Sequence, residues 1–296
     1  MNGEIVGGEL SSAELTAALD EELQQRVERL KSLEQHILPH LVIINENLEH
    51  KPSQRYVRLK QQVGVHTIGM AVSTIDAHEV DSVLEEIHYH NELNDTHGII
   101  VQLPLKDRDA TDEVVAQIAP EKDVDGLGPR ARFRPATPLA IMKLLEGHHI
   151  DYRQESVAIL GRGRLVGGPL EGIMQAAGVD VVAIDDRTDP MAGINVLNEA
   201  GIIISAMGQP GLVTPDLFAD MSRPRVLMDA GAAEQAGVVK GDVSDSLRTE
   251  ALANGWLITP EKGGLGPLTV RTLLGNVVQA AEEAAIPDEA LLSSSV

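Results

Sequence analysis

The sequence predicts an α/β protein of two domains: an N-terminal α/β catalytic domain with a parallel sheet and a Rossmann-type doubly wound nucleotide-binding domain, with a cleft between them. Three observations carry this expectation. At 296 residues the chain can bury two cores of ordinary size. Short apolar runs alternate with helical patterns in two successive series, the order that gives parallel sheets covered on both faces. The second series opens with a strand, Val157 to Leu160, that runs straight into a glycine-rich turn.

Taken in order, Ser11-Ser12-Ala13-Glu14 has the pattern of a capping box. Behind it Leu15, Leu19, Leu23, Val27 and Leu30 recur at helical spacing, and Pro39 ends the pattern. Residues 40–45, His-Leu-Val-Ile-Ile-Asn, read as a strand, and Pro52 suits the first turn of a helix reaching about Val63. A second strand is expected over residues 67–72, a helix over 76–93 and a third strand over 97–101. A helix over 137–146 leads to the second series, with strands at 157–160, 179–184, 202–205 and 226–229. A last helix, 267–284, would return toward the first domain, and the closing Ser293–Val296 is expected to fray.

Composition removes several classes of function. Hydrophobic residues make up 43% of the chain, which marks it as globular rather than disordered. No apolar run approaches the ~20 residues of a membrane span. The amino end has no basic start followed by an apolar segment, so a cytoplasmic protein is expected. With no cysteine, disulfides, thiolate zinc sites and cysteine nucleophiles are excluded. A net charge of −21 opposes nucleic-acid binding, because a phosphate backbone would be repelled. An anionic ligand then needs a local basic patch, either Lys51, Arg55, Arg58 and Lys60 or Arg162, Arg164 and Arg187. No metal site is expected, since His88 and His90 stand two apart on a helix and point to different faces.

Four segments carry chemistry. Ser53, Tyr56 and Lys60 share one helical face, with the phenol and the ammonium one turn apart, where each group can shift the other's pKa. The strand Ile99 to Val101 delivers the Gln102 amide to a loop stiffened by Pro104. Lys122-Asp-Val-Asp125-Gly places two carboxylates beside a glycine turn. Gly161-Arg162-Gly163-Arg164-Leu-Val-Gly167-Gly-Pro169 follows a strand and opens a helix, so bare amides and a helix dipole would lie beneath a phosphate. Past the next strand, Asp185-Asp186-Arg187 sends opposing signals. An acid there favours the ribose diol of NAD, whereas arginines favour the 2′-phosphate of NADP.

These segments, with Pro135-Ala-Thr137-Pro138 and Gly263-Gly264-Leu-Gly266-Pro267, stand in one order along the chain. In that order the chain resembles the bifunctional methylenetetrahydrofolate dehydrogenase/methenyltetrahydrofolate cyclohydrolase family. The resemblance implies that residues 1–142 with 266–296 form the folate-binding catalytic domain and residues 143–265 the dinucleotide-binding domain. It implies oxidation of 5,10-methylenetetrahydrofolate with NADP, NAD being possible, then hydrolysis of the methenyl product to 10-formyltetrahydrofolate. It assigns proton handling to Lys60, tuning to Tyr56, folate and Lys60 positioning to Gln102 and pterin anchoring to Asp125. Ser53, Tyr56, Asp125, Gly264 and Pro267 would bind the tetrahydrofolate substrate. Gly161, Arg162, Gly163, Arg164, Gly167, Thr137, Asp186 and Arg187 would bind the cofactor. A homodimer is implied as well. The family's usual serine is Gly163 here, and Asp185-Asp186 replace neutral or basic residues. Both changes weaken a 2′-phosphate site, and Glu261-Lys262 alter a loop near folate. The alternatives are a non-catalytic folate or nucleotide sensor and a dehydrogenase without cyclohydrolase activity.

Overall fold

The computed structural model describes residues 7–235 and 238–286; the Ser293–Val296 stretch expected to fray lies outside them. In chain order the elements are β1 (Gly8–Glu9), α1 (Ala13–Ser32), β2 (His40–Asn45), α2 (Lys51–Gln61), β3 (Ala71–Asp76), α3 (Val80–Glu92), β4 (Gly98–Val101), α4 (Thr111–Val115) and α5 (Ala136–Gly147). They continue with β5 (Val157–Leu160), α6 (Gly167–Ala176), β6 (Val181–Ile184), α7 (Pro190–Glu199), β7 (Ile202–Ser205) and β8 (Val226–Asp229). The hairpin strands β9 (Ala233–Gln235) and β10 (Val238–Lys240), then α8 (Asp245–Ala253), β11 (Leu257–Ile258) and α9 (Leu265–Ala284), complete the series. They form two compact units, one of Thr16–Ala136 with 270–286 and one of 7–15 with Thr137–Thr269.

The first unit holds a parallel sheet in the order β3-β2-β4. Alternate residues of β2 serve opposite faces, as a strand's period of two requires. Leu41 and Ile43 pack with Leu23, Val27 and Leu30 of α1 and with Leu274 and Val277 of α9. Val42 and Ile44 pack with Val83 and Ile87 of α3. Each such fully buried side chain contributes roughly 1.5–3 kcal/mol, so both faces hold the sheet. The chain leaves β2 for β3 on one side and later returns to β4 on the other. The carboxyl ends of β2 and β4 therefore flank a topological switch point, where ligand crevices open in such sheets.

The second strand of this unit does not lie where the sequence places it. The expected strand over 67–72 is displaced to Ala71–Asp76, because helix continues past α2 as π-helical turns over Gln62–Ile68. Val63, Gly64 and Ile68 are buried along that stretch, and Gly64 O accepts N–H bonds from both Gly69 and Met70. Gly69, at φ 83°, then ends the helix in a left-handed conformation that suits glycine.

The second unit carries a six-stranded parallel sheet ordered β1-β11-β8-β7-β5-β6. Ala158, Leu160, Ile203, Leu227, Leu247 and Trp256 form its core. β5 lies between β6 and β7, so the order reverses at β5, whose carboxyl end is the second switch point. The sequence reading keeps residues 1–142 together, but β1 pairs in parallel with β11, and Leu10 N donates to Ile258 O at 2.8 Å. A two-residue strand is too short to leave a periodic signal. No helix among the described residues is long and apolar enough to cross a membrane.

Candidate active site

At the carboxyl ends of β2 and β4 the polar residues of the first unit interlock. Lys60 is 8% exposed on α2, and its Nζ donates to Gln102 Oε1 at 2.9 Å. Gln102 directly follows β4, its backbone N–H still bonded to Ile44 O. Its Nε2 donates to Leu103 O at 3.0 Å, which turns the amide so that the oxygen faces Lys60. Ser53 Oγ donates to the same Leu103 O at 2.8 Å and so ties α2 to the Gln102 loop. The helix itself starts well, with Pro52 in its first turn and His50 Nδ1 accepting the Ser53 N–H. Tyr56 lies half-buried one turn before Lys60.

Burial pulls the Lys60 amine below the ordinary lysine range, and the nearby Asp125 carboxylate partly restores it. Burial likewise raises Asp125, and Lys60 opposes that rise. Burial raises the Tyr56 phenol, eased by Arg55. The sequence suggests that Tyr56 and Lys60 act on each other's pKa; in the structure the charge felt by Lys60 is Asp125's and the one felt by Tyr56 is Arg55's. Nor is Lys60 part of an exposed basic patch, because its head is buried against Gln102. A buried lysine with a lowered pKa gives up its proton more readily than a free one, which suits a proton-transfer role.

Asp125 is placed by a neighbour. Asp123, 1% exposed, accepts N–H bonds from Gly126 (3.0 Å), Leu127 (3.4 Å) and Gly128 (2.7 Å), so one carboxylate organises the whole turn. Ile99 N donates to Lys122 O, which joins the turn to β4. Asn276 Nδ2 of α9 donates to Val124 O at 2.8 Å from behind. Gly126 has φ 70°, and a Cβ there would lie 2.6 Å from Phe133 O.

In the second unit the turn after β5 is shaped by missing side chains. Gly161 has φ 95°, and a Cβ would meet Ala206 O at 2.8 Å. A Cβ at Gly167 would come within 1.8 Å of Gly161 O, so the turn closes onto the start of α6 only with glycine there. These bare amides at a helix N-terminus and a switch point fit a dinucleotide's phosphates. Gly163 has nothing within 4 Å of its Cβ direction. Arg162 donates through Nε and Nη2 to Glu171 at 2.8 and 2.6 Å. Asp185 accepts from Arg187 N at 3.0 Å and from Thr188 Oγ1 at 3.3 Å, and so builds the turn after β6, while Asp186 and Arg187 are exposed. Thr137, Gly264 and Pro267 belong to this unit, and Ser12 N and Oγ both donate to Gly263 O beside Gly264.

Two family models match the chain. Residues 10–125 match the catalytic domain of tetrahydrofolate dehydrogenase/cyclohydrolase, and residues 135–285 match its NAD(P)-binding domain. The chain belongs to this family. It is 35% identical over 287 residues to the "Bifunctional protein FolD" of Macrococcus caseolyticus, covering 93% of this chain and 98% of the relative. The crystal structure of the bifunctional FolD enzyme of Campylobacter jejuni aligns with a TM-score of 0.83 at 30% identity, over 93% of this chain and 99% of that one. The Trypanosoma brucei FolD structure, complexed with NADP cofactor and inhibitor, aligns at 0.84 with 26% identity, over 95% and 99%.

With the tetrahydrofolate dehydrogenase/cyclohydrolase family established, the expected two-domain α/β architecture with a Rossmann-type unit stands. Ser53, Lys60, Gln102 and Asp125 are interlinked in the first unit, and the glycine turn lies at the switch point of the second. Sequence reasoning took Asp123 only as one of two acids beside the glycine turn, and missed His50, Asn276 and Glu171. Asp123 leaves a faint signal, an Asx residue three positions before a glycine. His50 caps its own helix with a side chain that is not among the usual caps, while Asn276 and Glu171 meet groups remote in sequence, and these three carry none.

Proposed function

We propose that this chain oxidises 5,10-methylenetetrahydrofolate with NADP and hydrolyses the methenyl product to 10-formyltetrahydrofolate. The observation that carries this reading is the buried Lys60 held at 2.9 Å by Gln102 beside Asp125. In hydrolysis a water adds to the bridging methenyl carbon, and the unprotonated Lys60 Nζ takes a proton from it. As the bond from that carbon to N5 then breaks, the added hydroxyl's proton passes to N5 and its oxygen becomes the formyl carbonyl. The formyl group stays on N10, while the proton taken by Lys60 leaves to solvent. One proton is released in balance. Gln102 holds the amine at this spot, and Tyr56 orients the substrate beside it. Asp125 accepts hydrogen bonds from the amino and ring nitrogens of the pterin, a pairing that suits a carboxylate. Ser53 keeps α2 and the Gln102 loop in register.

A bound NADP supplies the hydride acceptor for the first reaction. Gly161, Gly163 and Gly167 leave room for its phosphates, with Arg162, Arg164 and Arg187 nearby in sequence, and the protein's contribution is positioning. The bifunctional relative from Campylobacter jejuni and the NADP-complexed relative from Trypanosoma brucei support both halves of the assignment. Thr137 is assigned to the cofactor, and Gly264 and Pro267 to folate. We place the protein in the cytoplasm as a homodimer; sedimentation at one chain mass instead of two would remove the dimer.

The test is absorbance of purified protein with 5,10-methylenetetrahydrofolate, run separately with NADP and NAD. Growth of reduced nicotinamide without lasting methenyl absorbance supports the bifunctional reading. Persistent methenyl removes the hydrolase, and no reduction with either dinucleotide removes the dehydrogenase.

A further inference from the structure

The Arg162–Glu171 pair has a place in the fold that an ordinary surface ion pair lacks. Arg162 is the second residue of the turn after β5, and Glu171 lies one turn into α6. The guanidinium presents two donors to the two carboxylate oxygens, at 2.8 Å from Nε to Oε2 and 2.6 Å from Nη2 to Oε1. Glu171 Oε1 also accepts the N–H of Ala183, a residue of β6, at 3.3 Å. The carboxylate is thus fixed from both sides, and its side chain is 12% exposed against 50% for Arg162. Asp185, just past β6, adds a second negative charge that acts on Arg162.

In a doubly wound domain the ribose 2′ position of a bound dinucleotide lies outside the carboxyl end of the second strand, which here is β6. A guanidinium beside that strand is suited to grip a 2′-phosphate through two parallel hydrogen bonds. In this chain those same donors are already engaged by Glu171. A 2′-phosphate would have to take the Nε–Nη2 edge from the carboxylate or bind the remaining Nη1 and Nη2 protons beside its charge.

We propose that Glu171 is a specificity-determining residue, which competes with the 2′-phosphate of NADP for Arg162 and so limits how strongly the site prefers NADP over NAD. The proposal rests on the dinucleotide-binding reading of this unit. A purely structural Glu171, pinning α6 to β6, would have no such effect on one ligand over another.

The probes are 2′,5′-ADP and 5′-AMP, titrated calorimetrically at fixed ionic strength into the full chain, Glu171→Gln, Arg162→Gln and the double variant. Glutamine keeps the length of the side chain and an oxygen for the Ala183 N–H. Since exposed ion pairs are weak, Glu171→Gln is expected to tighten 2′,5′-ADP only about two- to five-fold. It should leave 5′-AMP unchanged, and the gain should vanish in the Arg162→Gln background. Equal tightening of both probes, a gain that survives without Arg162, or no gain at all would overturn the proposal. If neither probe binds the unaltered chain, the dinucleotide reading fails and takes the proposal with it.

Discussion

In the first unit the groups to which we assign the chemistry are side chains held by other groups: Lys60 by Gln102, Gln102 by Leu103 O, and the Asp125 turn by Asp123. In the nucleotide unit the corresponding turn is held by what is absent. Gly161 and Gly167 permit backbone approaches that any Cβ would block, while the charged groups around them are partly or largely exposed. The first site is specified by identity, the second by space. Substitutions that delete a functional group should damage the first, and substitutions that add atoms should damage the second.

The largest expected effect tests the first half of that contrast. Lys60→Met should slow methenyl hydrolysis by about 10²–10⁴-fold, the usual contribution of a proton-transfer group, with folate binding largely retained. An unchanged hydrolysis rate would show that the buried amine is only a packing element.

Two glycines of one turn, Gly167 and Gly163, probe the other half. Gly167→Ala places a methyl 1.8 Å from Gly161 O. Such overpacking costs about 1–3 kcal/mol and should weaken dinucleotide binding roughly ten- to hundredfold. Gly163→Ala meets nothing within 4 Å and should stay within about 0.5 kcal/mol of the parent in urea unfolding. Similar dinucleotide affinities for the two variants would end the claim that space specifies this turn.

A smaller effect is expected at Asp123. Its carboxylate accepts three backbone N–H bonds, whereas an asparagine must turn an amide nitrogen toward some of those donors. Asp123→Asn should lose about 2–3 kcal/mol of stability, read from urea denaturation, because hydrogen bonds to charged acceptors are among the stronger ones. Full stability would mean that the turn is held mainly by Asn276 and the contact with β4.

The smallest effect is a displacement along the pH axis. Asp125 raises the Lys60 pKa against the desolvation that lowers it from 10.5. Removing the carboxylate's charge must therefore lower it further. The midpoint assigned to Lys60, measured from methenyl hydrolysis at saturating folate, should fall in Asp125→Asn. A midpoint that stays or rises would show that the two groups are not coupled.

The same contrast governs how much was legible beforehand. Strand–helix alternation exposed both sheets, because Val42 with Ile44 and Leu41 with Ile43 alternate between faces as strand residues must. Lys60, Gln102 and Asp125 could be picked out because the motifs that carry them stand in the order of the family the chain resembles. The glycine turn was visible because it follows a strand and opens a helix, whereas glycines alone fit any tight turn. The shift of β3 was not, since Thr67 and Ile68 suit a strand locally and only the burial of Ile68 in one core with Val63 keeps the stretch helical. Nor was Glu171, which reads as an ordinary acid on a solvated helix until Arg162 and Ala183 are brought to it.

The pairing of β1 with β11 bears on how the chain is made. During synthesis Gly8–Glu9 must wait for Leu257–Ile258 before its hydrogen bonds can form. The other unit likewise needs α9, whose Leu274 and Val277 complete its core. At typical synthesis rates of 5–20 residues per second, the stretch from Gly8 to Leu257 takes roughly 12–50 s, and for that time β1 has no partner strand. A nascent chain interrupted before α9 would leave one face of the first unit's sheet without Leu274 and Val277, so that unit closes its core only after every strand of the other sheet has been made.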